Sequence, residues 1–206
     1  MPTCPMCSQG FHHAAETACP HCGYSLAKAD AKYGKADIHY RRVYDRTGAL
    51  RQRERVKLNL LLEKLEKRLK PSLLSVYFPD ETDSHSLTNQ CFWTMNHVKV
   101  DAAGFPNHDE NTLDPKWLLI LVIDIRSGSA FFMWGYELDP YVEPDLINKS
   151  ITRQRIPLRE GLFMRAAYSI MKDATRLIAR KGRSLIKHPF QHGLIAPEPK
   201  KKGDNQ

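Results

Sequence analysis

The chain lacks any long apolar stretch. Its longest uninterrupted run, Trp117 to Ile123, is seven residues, against the roughly 20 that a membrane-spanning helix needs. An integral helical membrane protein is therefore excluded. The N-terminus, Met1-Pro2-Thr3-Cys4, has no basic segment followed by an apolar one, so no secretory signal is read and a cytoplasmic location is expected. Also missing are an internal repeat, a glycine-rich phosphate loop, a Ser-His-Asp arrangement and any other recognisable nucleophile motif, so nothing local favours catalysis. The composition, 42% hydrophobic, 26% charged and 9% aromatic, excludes a fully disordered, collagen-like or coiled-coil protein. The 206 residues leave room for one core-forming domain, a small appendage and tails.

The cysteines are few, and their spacing is informative. Four of the five form Cys4-Pro5-Met6-Cys7 and Cys19-Pro20-His21-Cys22-Gly23, two C-x-x-C knuckles separated by eleven residues. A two-residue gap lets both thiolates of a knuckle reach one ion, and two knuckles complete a tetrahedron. Gly23 permits the positive φ that such turns often need. Without an export signal, close cysteine pairs read as metal ligands before disulfides. Zinc is the expected ion, with a rubredoxin-like iron site or a disulfide pair as alternatives. With Cys4, Cys7, Cys19 and Cys22 filling all four positions, the site is closed and structural rather than catalytic. His12, His13 and His21 are surplus to it and read as solvated. Cys91, inside Cys91-Phe92-Trp93, reads as a buried small hydrophobe.

The formal charge of +8 is unevenly distributed. Residues 28–70 carry +8, residues 71–145 carry −9 and residues 146–206 carry +10. This pattern suggests an acidic region set among basic helices. Nucleic-acid contact has only that charge in its favour, because no aromatic-studded basic strand motif accompanies it.

Four segments follow: a zinc ribbon at 1–26, a polar, basic linker at 27–48, an α/β domain at 49–183 and a flexible basic tail at 184–206. Within the domain, Val56, Leu58, Leu61, Leu62, Leu65 and Leu69 form a helical stripe between Leu50 and Leu69, stopped by Pro71. Leu73 to Phe78 reads as a buried strand. Ser84 or Ser86 opens a helix to about His97, and a long polar connection runs from Val100 to Pro115. Trp117 to Ile125 is the strongest strand, turning through Arg126-Ser127-Gly128 into an antiparallel partner, Ser129 to Tyr136. Pro144 opens a helix to about Ile156. A last helix over Arg159–Lys181 places Leu162, Ala166, Ile170, Ala174 and Ile178 at i+4 spacing. The fold class is α/β: Leu73–Phe78 pairs parallel with Trp117–Ile125, and a small mixed sheet is sandwiched by helices on both faces.

The acids divide by strand polarity. Asp80, Glu81, Asp83 and Asp124 fall at the carboxyl edge of the parallel strands, the general ligand edge of α/β sheets. Asp101, Asp109, Glu110 and Asp114 fall at the other edge, to which the hairpin returns Glu137 and Asp139. Carboxylates gathered there could hold a hard cation. The run Leu118-Leu119-Ile120-Leu121-Val122-Ile123, a tight turn and Trp134-Gly135-Tyr136-Glu137-Leu138-Asp139, with Arg159-Glu160-Gly161 before the last helix, resembles the TPM domain. That family is named for thylakoid-lumen acid-phosphatase-like, photosystem II repair and receptor-accessory members, and the resemblance spans residues 56–180. It implies an α/β/α sandwich, with Asp139 in place of a family glutamate and Asp145 in place of a following acid. Some members are similar to weak, cation-dependent acid phosphatases, and others are accessory factors for membrane proteins. The resemblance thus implies a divalent-cation site, Ca²⁺ or Mg²⁺, at Asp114, Glu137, Asp139 and Asp145. Two departures weigh against phosphatase chemistry. Pro115-Lys116-Trp117 stands where the family has Asp-Asn-Gly, and Glu137 stands where it has a second glycine.

The reading that follows is a cytoplasmic zinc-ribbon, TPM-like protein serving as a non-catalytic interaction module for a protein partner. A weak divalent-metal-dependent acid phosphatase is the alternative, and a nucleic-acid-associated ribbon protein the third reading.

Overall fold

A computed structural model describes residues 4, 6–7, 9, 18–34, 38–69, 72–79, 84–99 and 115–187. The sequence folds as a mixed α/β structure built on two small sheets. In chain order the elements are α1 (Leu26–Tyr33), β1 (Ile38–His39), β2 (Val43–Asp45), α2 (Gln52–Glu66), β3 (Leu73–Phe78), α3 (Ser84–His97) and β4 (Val98–Lys99). A 3₁₀ turn (Pro115–Trp117), β5 (Leu118–Asp124), β6 (Ser129–Trp134), a second 3₁₀ segment (Tyr136–Tyr141), α4 (Pro144–Arg153), α5 (Arg155–Arg159) and α6 (Phe163–Lys187) follow. The main sheet has the order β2-β3-β5-β6. The first three strands are parallel, and β6 returns antiparallel through a hairpin in register Asp124↔Ser129.

β3 and the apolar part of β5 are buried residue by residue, so alternate side chains enter opposite cores. Leu74, Val76, Phe78, Leu119, Leu121 and Ile123 join Leu58, Leu62 and Leu65 of α2 and Ala166, Ile170, Ala174 and Ile178 of α6. Leu73, Tyr77, Leu118, Ile120 and Val122 pack on the opposite face with Cys91 of α3 and Val98 of β4. Both faces are therefore covered, as continuous apolar strands require. Of the expected α6 stripe, Leu162 stays exposed, because the helix begins only at Phe163. No helix of the described residues is long and apolar enough to cross a membrane.

The segment 27–48, expected to be a linker, contains instead most of α1 together with β1 and β2. The short β1 pairs parallel with β4, and β2 extends the main sheet beside β3. Such brief strands draw their order from partners far along the chain, so local periodicity gives no sign of them. Tyr40 and Arg42 are fixed by Glu66, which is 1% exposed. Arg42 Nε donates to Glu66 Oε2 at 2.6 Å, and the Leu74 N–H donates to Oε1 at 2.9 Å. The Tyr40 hydroxyl lies 2.6 Å from Glu66 Oε1 and 2.5 Å from the Leu74 carbonyl. Burial, then the Glu66 charge, holds its pKa well above the usual value, so its one proton stays to serve these acceptors.

The hairpin strand also ends earlier than expected, at Trp134 rather than Tyr136. At Gly135 the chain passes so close to the 3₁₀ turn that a Cβ would lie 2.2 Å from the Lys116 carbonyl oxygen. Only glycine fits there, and the chain then coils into Tyr136–Tyr141. Of the tail expected from 184, residues 184–187 belong to α6, and residues 188–206 lie outside the described residues.

Two outcomes are expected. Val122→Asp would place an unpaired carboxylate where the native side chain has no exposure, costing more than about 4 kcal/mol and abolishing the cooperative melt. The second concerns Asp45, whose fully buried carboxylate accepts from the Ala49 and Leu50 N–H groups and pairs with Arg55. Burial pushes its pKa up, but the Leu50 and Ala49 N–H groups, the Thr47 hydroxyl and Arg55 outweigh it and hold the value below 3.8. A depressed carboxylate contributes stability above its unfolded pKa and loses it as pH falls through the folded pKa. Asp45→Ala should therefore cost about 1–3 kcal/mol in denaturant melts at neutral pH, with the difference from wild type shrinking below about pH 4.

Candidate metal centre

Each knuckle is shaped by its own backbone before any ion is considered. The Cys19 N–H donates to the Tyr24 carbonyl at 2.7 Å, and the Gly23 N–H donates back to the Cys19 carbonyl at 2.7 Å. Closing this turn needs φ of +66° at Gly23, a conformation that suits glycine. The Ala18–Ser25 bridge continues it as a miniature antiparallel ribbon. In the other knuckle, the Cys4 N–H donates to the Gln9 carbonyl at 2.8 Å, and the Met6 N–H points at Cys4 Sγ at 3.4 Å.

These turns bring Cys4, Cys7, Cys19 and Cys22 together, with all four sulfurs within 4.8 Å of one another. The Cys4–Cys22 and Cys7–Cys19 separations are both 3.7 Å. A tetrahedral ion with bonds of about 2.3 Å to sulfur sets its ligands about 3.8 Å apart. The set therefore fits one tetrahedral metal ion and leaves no ligand position open. Cys4 and Cys19 are buried, whereas Cys22 is exposed. Burial pushes the Cys4 thiol up to about 12. Cys19 is also raised by burial, but the Cys22 and His21 N–H groups and the neighbouring thiols Cys22 and Cys4 bring it down to about 7. A cation binding here displaces protons from the thiols, so its hold must weaken as pH falls.

The cluster does not stand apart from the domain. Cys4 and Cys19 share a buried core with Tyr24, Ala29 of α1 and Trp93 of α3. Trp93 Nε1 donates at 3.1 Å to both Asp30 Oδ1 and the Gly34 carbonyl at the end of α1. His97 Nε2 lies 2.6 Å from the same Asp30 oxygen. Asn89 Nδ2 reaches Met6 Sδ at 3.6 Å, and the Tyr24 ring lies against Phe92. Periodicity alone missed this interface, since α1 buries only Ala29. The aromatic pair Phe92-Trp93 on α3 was the available signal.

The other site candidates are placed as follows. Asp114, Asp80, Glu81, Asp83, Asp101, Asp109 and Glu110 lie outside the described residues, as do His12 and His13. Glu137 and Asp139 sit on the 3₁₀ segment that folds back beside Pro115–Trp117, and Asp145 opens α4. Among the described residues these three do not converge as a ligand set; only the four cysteines do. Asp139 Oδ1 accepts from Trp134 Nε1 at 2.7 Å, fastening the 3₁₀ segment to β6. Asp124 closes the hairpin turn, accepting from the Arg126 N–H at 2.9 Å and the Ser127 hydroxyl at 2.6 Å. Cys91 is buried against the sheet, and burial lifts its thiol to about 12, which suits an inert packing residue.

Compared with known proteins, the chain matches no family model and has no significant sequence match to a curated protein.

Because the centre shares a core with α3, its loss should reach the domain. Chelating the metal, or Cys19→Ser, is expected to speed amide exchange in residues 18–34 and in α3 by about tenfold or more, with β3 and β5 remaining protected. Unchanged α3 exchange would show the ribbon to be energetically separate.

Proposed function

We propose that this protein is a zinc-anchored α/β interaction module, in which the ion builds the fold and does no chemistry. The observation that carries this reading is the closed four-thiolate set, which leaves no position for water or substrate and packs against Trp93. Four thiolates can hold zinc or iron, and zinc is our reading because a closed site that only builds the fold needs no redox-active ion. Keeping five cysteines as free thiols or thiolates suits a reducing compartment, in line with a cytoplasmic location.

Kinship with TPM domains remains part of the proposal. It is argued from the mixed sheet between helices and the β5–β6 hairpin, which agree with the fold the resemblance implies. The departures at Pro115-Lys116-Trp117 and Glu137 favour an accessory role over phosphatase chemistry.

Elemental analysis of freshly purified protein should find one zinc per chain, and phosphomonoester turnover should not rise on adding Mg²⁺ or Ca²⁺. Absence of zinc would overturn the anchor. Cation-stimulated turnover that is lost in Asp139→Ala would replace the module with a phosphatase.

A further inference from the structure

The partner of such a module needs a surface, and the region around β2 offers one with defined chemistry. Between β2 and α2 lies a groove of about 430 Å³, lined by Tyr40, Arg41, Arg42, Val43, Arg55, Val56, Asn59 and Leu60. We propose that this groove receives an extended segment of a partner protein that carries both carboxylates and apolar side chains. The proposal rests on the reading of the chain as an interaction module.

Three features of the groove select that occupant. The first is an open strand edge. The Arg42 carbonyl accepts from the Val76 N–H, and the Arg46 N–H donates to the Phe78 carbonyl. In a parallel ladder this turns the Val43 N–H and carbonyl the other way, toward the groove. Among the described residues no strand pairs on that side of β2. An extended segment can continue the sheet there by backbone pairing.

The second feature is apolar surface that the fold leaves uncovered. Val56 and Leu60 are 51% and 52% exposed, and their i, i+4 spacing sets them side by side on α2. Together with Val43 they form an apolar wall beside the strand edge. The third feature is positive charge without enough local acid. Arg41 is exposed and has no carboxylate partner among the described residues. Arg55, 41% exposed, shares Asp45 at 3.3 Å. Arg42 is turned inward to Glu66. The surrounding segment 28–70 carries +8.

A nucleic-acid strand would meet the arginines but leave the apolar wall and the Val43 rung unmatched. An uncharged peptide would leave the arginines unmatched. An acidic, apolar, extended segment matches all three.

The test is selection from a random peptide library on the zinc-loaded full chain, followed by fluorescence anisotropy with the enriched peptides. Enriched sequences should combine Asp or Glu with apolar residues. They should bind Arg41→Glu and Leu60→Glu at least about tenfold more weakly; both substitutions fall on exposed side chains, and both variants should keep the wild-type melting curve. No enrichment, enrichment of neutral or basic sequences, or equal affinity for the variants would overturn the groove. So would tighter binding of a single-stranded oligonucleotide that displaces the peptide, which would assign the surface to nucleic acid. None of these results bears on zinc content or phosphatase turnover, so the groove and the module reading can fail separately.

Discussion

A pair of parallel strands with no solvent-facing side sets the terms for the rest of this structure. β3 and the apolar part of β5 are buried along their lengths, so each face needs a cover of its own. One face is closed by α2, α6 and the shorter helices before α6. The other depends on α3, aided by the small β1–β4 pair. This second cover is thin, because α3 offers the sheet Cys91 and Met95 rather than a broad aliphatic stripe. Its opposite side, carrying Trp93, is held by α1 and the cysteine knuckles. The metal centre thus bears on the main sheet at one remove, through the helix between them.

Carboxylates do comparable work at the joints between elements, two of them, Glu66 and Asp45, with buried side chains. Glu66, at the end of α2, gathers Tyr40, Arg42 and the start of β3. Asp45 gathers the turn into α2, and Asp30 ties α1 to Trp93 and His97 of α3. Each joins segments that are distant in sequence or differ in type, and Glu66 and Asp45 are satisfied by several donors, as carboxylates removed from water require. Asp124 and Asp139 act more locally, Asp124 accepting within the hairpin turn and Asp139 accepting one indole N–H from Trp134.

The charge asymmetry acquires a location in the fold. The basic stretch before β3 becomes β2, α2 and the groove between them, where arginines stand beside exposed aliphatic side chains. The proposed division of labour follows from this geometry: a closed thiolate centre shapes one side of the molecule, and an open basic groove on another side is free to bind.

Elements dominated by local pattern were legible in the sequence. The Leu58–Leu62–Leu65 stripe, the buried run Leu73–Phe78, the hairpin at Gly128 and the i+4 series from Ala166 to Ile178 in α6 emerged in place, because each depends on side-chain periodicity or a turn within a few residues. The cysteine quartet was equally legible, since ligand spacing within each knuckle is a local property. What the tertiary structure alone decided were features created by long-range pairing. β1, β2 and β4 are two or three residues long and exist through partners elsewhere. The end of β6 is set by a collision that Gly135 avoids with Lys116, and the roles of Glu66 and Asp30 are set by donors brought to them from far along the chain. Periodicity records which face of a segment is apolar. It cannot record which distant backbone, guanidinium or indole will arrive against that segment, and only the folded chain makes that choice.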